Sequence, residues 1–143
     1  MDEPSLETIE LELAILIRRI TLNITYNKLG NLDRSAYLLL GQITSRGATG
    51  VKALADDSHL DISTVSRQAA ALEQKGYVYR IPDPSDGRAY SFQITDLGIK
   101  EYSEHKQARL AKFADILKNW SDEESEMFGK LLQKFNHSIN TLN

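Results

Sequence analysis

At Gly76 the spacing of apolar residues changes from steps of three and four to strict alternation, and that change restricts the chain to a helical region followed by a small sheet. Upstream, a helix starting near Asp61 or Ser63 runs to Lys75, with Val65, Ala69 and Leu72 on its inner face and Gly76 as the left-handed residue that stops it. Downstream, Tyr77, Tyr79 and Ile81 alternate with Val78 and Arg80. After a turn, Tyr90, Phe92 and Ile94 alternate with Ser91 and Gln93. The turn itself is Pro82-Asp83-Pro84-Ser85-Asp86-Gly87-Arg88. Its prolines cannot donate to a ladder and its Asp-Gly tolerates positive φ, so it reads as the long tip of a hairpin projecting into solvent.

The flanks are helical. Leu6, Ile9, Leu13, Leu16, Ile17, Ile20 and Ile24 form one stripe of a long amphipathic helix that Gly30 and Asn31 end. Asp33 is placed to cap a second helix carrying Tyr37, Leu38, Leu40 and Ile43, and a short third helix fits Val51 to Asp57. Thr95 caps a fifth helix whose apolar positions Ile99, Tyr102, Leu110, Phe113, Leu117 and Trp120 keep helical spacing. Ser121 with Glu124 forms a capping box that opens a sixth, with Met127, Phe128, Leu131, Leu132, Phe135 and Ile139 inward. The expected fold class is mainly α with a small β-hairpin wing (α+β). Residues 1–143 form a single domain: a winged helix-turn-helix lobe over 32–95, with terminal helices in 1–31 and 96–143. The lobe has enough apolar residues for its own core. The terminal stripes therefore need another surface, which predicts a homodimer.

Composition narrows the function. The 143 residues contain no Cys, which excludes thiol catalysis, zinc–thiolate sites and cysteine redox sensing. No apolar run approaches the ~20 residues of a membrane helix, and the N-terminus is acidic and polar, so a cytoplasmic protein is expected, with no membrane partner. No nucleophile elbow, Walker loop or dinucleotide fingerprint occurs. His59, His105 and His137 are far apart, so neither an enzyme nor a metal or cofactor is expected. The net charge is −3, yet the acid excess lies in the flanks: residues 32–100 hold eight charges of each sign. Lys52, Arg67, Lys75, Arg80 and Arg88 would make a basic face if they pointed one way.

Helix, turn, helix, hairpin is the order of a winged helix-turn-helix, whose second helix enters the DNA major groove by its N-terminal turn. Here that turn carries Ser63, Thr64, Ser66, Arg67 and Gln68. Short hydroxyls reach phosphates or base edges without steric cost, and a guanidinium can fork onto guanine. The runs Leu60-Asp61-Ile62-Ser63-Thr64-Val65-Ser66-Arg67, Leu72-Glu73-Gln74-Lys75-Gly76-Tyr77-Val78, Asp83-Pro84-Ser85-Asp86-Gly87-Arg88-Ala89 and Ile94-Thr95-Asp96-Leu97-Gly98 closely resemble the MarR family of bacterial transcription regulators. The motifs span about residues 51–98. The order of the flanking helices extends the likeness along the chain.

The resemblance implies a homodimer with interlocked terminal helices and two winged lobes on a pseudo-palindromic operator, acting as a repressor. It also implies that Arg88 enters the minor groove and that Asp86 orients the wing. Two positions depart from the family pattern: Gly87 stands where relatives often carry a second basic residue, and Ala69-Ala70-Ala71 where they often carry a polar one. An effector pocket between terminal helices and lobe, for a small aromatic or phenolic ligand, is implied as well, and Arg18, Arg19, Tyr26 and Tyr37 are the side chains suited to line it. The competing reading is a non-catalytic winged-helix module that binds protein.

Overall fold

The computed structural model describes residues 2–22, 28–29, 32–82 and 89–142. Among the described residues, six helices and two small sheets follow one another: α1 (Glu3–Leu22), β1 (Lys28–Leu29), β2 (Leu32–Asp33), α2 (Arg34–Arg46), β3 (Thr49–Gly50), α3 (Val51–Ser58), α4 (Ile62–Gln74), β4 (Val78–Pro82), β5 (Tyr90–Ile94), α5 (Asp96–Ile116) and α6 (Asp122–Asn140). Local chemistry sets most of the boundaries. The Asp33 carboxylate accepts from the Ala36 amide and opens α2, and Thr95 Oγ1 accepts from the Gly98 amide and opens α5. Ser121 and Glu124 form the reciprocal capping box of α6, with both bonds present. The acidic first turn of α6, Asp122 to Glu124, also opposes the positive end of the helix dipole.

The core lies wholly within the middle of the chain. Leu32, Leu40, Ile43, Leu54, Val65 and Phe92 are essentially inaccessible, and all buried hydrophobic residues among those described fall between Leu32 and Phe92. Val65, Ala69 and Leu72 form the buried face of α4, as the spacing predicts. This buried position accounts for Ala69 within the alanine run: a polar side chain there would lose its water inside the core.

The sheet has three strands in the order β3-β5-β4, all antiparallel, with Thr49 opposite Phe92 and Val78 opposite Ile94. The strand at Thr49–Gly50 is absent from the sequence reading, because two residues show no alternation and their pairing partner lies some forty positions away. The alternation through Tyr77 also fails at its start. Tyr77 and Val78 are both buried because Tyr77 precedes the strand and closes the end of α4. Strands β1 and β2 also pair antiparallel, Leu29 opposite Leu32, and two-residue strands carry no alternation to signal them. The hairpin tip at 83–88 and the predicted end of the first helix at Gly30 and Asn31 lie outside the described residues.

One helix boundary is corrected. Spacing carries the fifth helix through Trp120, whereas α5 ends at Ile116 and Trp120 lies in the turn beyond it. The cause is the next cap. Ser121 must adopt extended backbone (ψ 160) to cap α6, so the chain leaves the helix before it, and Trp120 packs at 5.4 Å against Phe128 of α6 instead.

The terminal helices differ from the lobe in burial. None of the residues of α6 is buried, and the six apolar positions expected to point inward are all at least 40% exposed. Leu6, Ile9, Leu16 and Ile17 of α1 are exposed as well. An open groove of about 720 Å³ separates the two helices, walled by Ile9, Leu13 and Leu16 on one side and Phe128, Leu131 and Phe135 on the other.

Candidate nucleic-acid interface

Two helices and a sharp turn present the site. Helix α3 ends at His59, whose left-handed backbone (φ 55) reverses the chain, and Asp61 occupies the N-cap position of α4 without a side-chain capping bond. Arg46, at the end of α2, forms an ion pair with Asp57 and ties the first of these helices to the lobe. Burial of Val65, Ala69 and Leu72 then fixes which way α4 faces. Ser63 and Arg67 are exposed; Thr64, Ser66 and Gln68 are half-buried. A guanidinium nitrogen of Arg67 lies 3.4 Å from Thr64 Oγ1, so the cation leans along the first turn of α4 over a hydroxyl. Arg88 and Asp86 lie outside the described residues.

Of the cations that could form a basic face, Lys52, Arg67 and Lys75 are exposed. Arg80 is engaged: its Nε donates to Glu73 Oε1 at 3.0 Å, and its guanidinium stands 4.3 Å from the Tyr90 ring centroid. It links the sheet to α4, and with 43% of its side chain exposed it still presents charge to solvent, as do Lys52, Arg67 and Lys75.

The four residues suited to an effector do not form one cluster among the described residues. Arg18 is exposed on α1, Arg19 lines the groove between α1 and α6, and Tyr26 lies outside the described residues. Tyr37 lies elsewhere, in a seam between α2 and α5. Its ring stacks on Tyr102 at 5.1 Å and meets the buried His105 ring at 4.7 Å in a tilted contact, and the Arg109 guanidinium is 5.2 Å from its centroid. Burial, reinforced by Tyr102, raises the Tyr37 phenol above the usual tyrosine range. Arg109 and Tyr102 were missed as candidates. Their signal was present in the sequence as the run Tyr102, His105, Arg109, Phe113 at helical steps, which places all four along one side of α5.

The sequence pattern of the MarR family matches residues 32–90, which include the lobe core except Phe92, both helices of the turn and strand β4. Over 134 residues the chain is 51% identical to an uncharacterized HTH-type transcriptional regulator, YxaD, of Bacillus subtilis, covering 93% of this chain and 94% of that one. The chain belongs to the MarR family. Among solved structures, a MarR family protein from Bacillus stearothermophilus superposes with a TM-score of 0.77 at 21% identity, over 99% of each chain. Streptococcus pneumoniae FabT, solved in complex with DNA, superposes with a TM-score of 0.67 at 19% identity, over 98% of this chain and 96% of that one. At these identities the superpositions establish the winged-helix fold, including the terminal helices. As a MarR family member the protein is a non-enzymatic, DNA-binding transcriptional regulator. Among the described residues, no helix of this MarR protein is long and apolar enough to cross a membrane.

Proposed function

We propose that this protein is a cytoplasmic repressor that binds a pseudo-palindromic operator as a homodimer and is released by a small aromatic or phenolic effector. In this reading residues 32–95 form the DNA-binding lobe, and 1–31 with 96–143 form the dimerisation helices. The observation that carries it is the separation of burial: the lobe has a closed core, while no residue of α6 is buried and the helix faces α1 across an apolar groove. A half-exposed large apolar side chain forgoes roughly 1 kcal/mol of the burial free energy available to it, and six such residues on α6 favour a second copy as cover.

In the dimer, each α4 enters a major groove. Ser63, Thr64 and Ser66 contact phosphates or base edges, Arg67 and Gln68 read bases, Asp86 orients the wing and Arg88 enters the minor groove. The structure of FabT with DNA supports this docking by fold alone. Tyr37, with Arg109 over its ring, supports an aromatic ligand near the α2–α5 seam more directly than Arg18, Arg19 or Tyr26 do.

The test is selection of duplexes from a random library by the full-length protein, followed by binding at several salt concentrations and light scattering. The expected result is a bipartite site bound by a dimer, with affinity falling about 10³–10⁵-fold between 50 and 200 mM salt as ~6–10 phosphates are neutralised. A monomer in light scattering, or binding to a protein with no selected duplex, overturns the reading and favours a protein-interaction module.

A further inference from the structure

The end of α4 and the start of α5 meet at one side chain. Helix α4 closes with a complete Schellman motif: the Gly76 amide donates to Glu73 O at 3.0 Å and the Tyr77 amide to Leu72 O at 3.0 Å, with Gly76 at φ 81. Thr95 bridges from this cap to the next helix. Its Oγ1 donates to Gly76 O at 2.6 Å and accepts from the Gly98 amide at 3.0 Å, so one hydroxyl uses both its donor and an acceptor site. Beside it, the Thr95 amide donates to Tyr77 O at 2.9 Å. Gly98 is buried against the same peptide. A Cβ on Gly98 would lie 2.2 Å from Tyr77 O, an approach only glycine permits.

These contacts join the end of α4 to the start of α5 through one hydroxyl, one backbone bond and one close backbone approach. We propose that Thr95, seated against Gly98, is a positioning residue for DNA recognition: it fixes the angle between α4 and α5 and so sets the separation of the two recognition helices in the dimer. This rests on the dimeric, bipartite DNA binding proposed above. The geometry sets the tolerance required. Helix α5 has 21 residues and is about 31 Å long, so a swing of about 6° at the joint displaces its far end by ~3.4 Å. That displacement is about the rise of one base pair. A joint looser than this could not distinguish operators whose half-sites differ in spacing by one base pair, and a merely stabilising contact would have no such consequence.

The experiment uses the full-length protein and the bipartite duplex it selects from a random library, together with versions carrying one base pair more or fewer between half-sites. Thr95→Asp keeps an oxygen for the Gly98 amide but, ionised, has no hydrogen to donate to Gly76 O. Thr95→Ser keeps both bonds. Wild type and Thr95→Ser should prefer the selected spacing by at least ~10-fold over either altered spacing. Thr95→Asp should bind all three duplexes within ~3-fold of one another. Circular dichroism identifies a variant that fails to fold. Thr95→Val, which keeps the shape and neither bond, provides the second variant and should lose the preference in the same way. A uniform loss of affinity with the spacing ratio intact, in either variant, assigns Thr95 to stability alone and overturns the proposal. A wild type that selects no bipartite site overturns the dimeric reading and the joint with it; a selected site with unchanged ratios overturns only the joint.

Discussion

Arg80 Nε lies 3.0 Å from Glu73 Oε1, joining strand β4 to the last full turn of α4, while the same guanidinium covers the Tyr90 ring. Both side chains of the pair are about a third or more exposed, so solvent screens their charge and the ion pair is worth well under ~1 kcal/mol. The cation–π contact adds about 0.5–1 kcal/mol. Arg80→Ala should therefore lower the thermal midpoint by roughly 2–5 °C, and Glu73→Gln by less, since the guanidinium keeps its ring. Equal shifts for both, in paired thermal melts, would show that the ring contact contributes nothing.

Arg67 is exposed on the first turns of α4 and makes a long 3.4 Å hydrogen bond to Thr64 Oγ1, so its removal should leave folding almost unchanged. On the selected operator Arg67→Ala should cost about 1–3 kcal/mol and relax base preference at one position in each half-site. Repeating the selection with the variant checks this. An equal loss on random DNA would make Arg67 a phosphate contact.

Arg88, in the wing sequence Asp86-Gly87-Arg88, is suited to a narrow minor groove, where A·T-rich DNA concentrates negative potential. Arg88→Ala should weaken binding several-fold, most on operators with A·T-rich flanks, with little change in thermal midpoint. Titration of both proteins against A·T-rich and G·C-rich flanks measures it. Identical affinities throughout would remove the wing from the interface.

The phenols of Tyr37 and Tyr77 are held above the usual tyrosine range, in both cases chiefly by burial. Their folded pKa values exceed the unfolded value of about 10, so their contribution to stability is fully present below pH ~10 and is lost as pH rises through the folded values. Denaturant midpoints should hold to about pH 10 with respect to these groups and fall above it. The tyrosine absorbance titration should show Tyr37 and Tyr77 among the last to ionise. A Tyr37→Phe variant that leaves the late phase intact would exclude Tyr37 from it.

What the sequence determined by itself is whatever a few neighbouring residues can settle. The caps at Asp33, Thr95 and Ser121 with Glu124, and the stop at Gly76, depend on hydrogen bonds or backbone angles within four positions, so the helix starts and the main break are readable from the string. The inner face of α4 is readable for a similar reason, because helical periodicity alone puts Val65, Ala69 and Leu72 together. Only the tertiary structure decided what depends on distant partners. It recruited Thr49 and Gly50 as a third strand, set Arg109 over Tyr37, and turned Arg80 back onto Glu73 and Tyr90. It also gave Thr95 its second bond, to Gly76 O nineteen residues earlier. A local capping rule predicts the first bond and cannot see the other, because the carbonyl that accepts it arrives only when the sheet folds α5 back against α4.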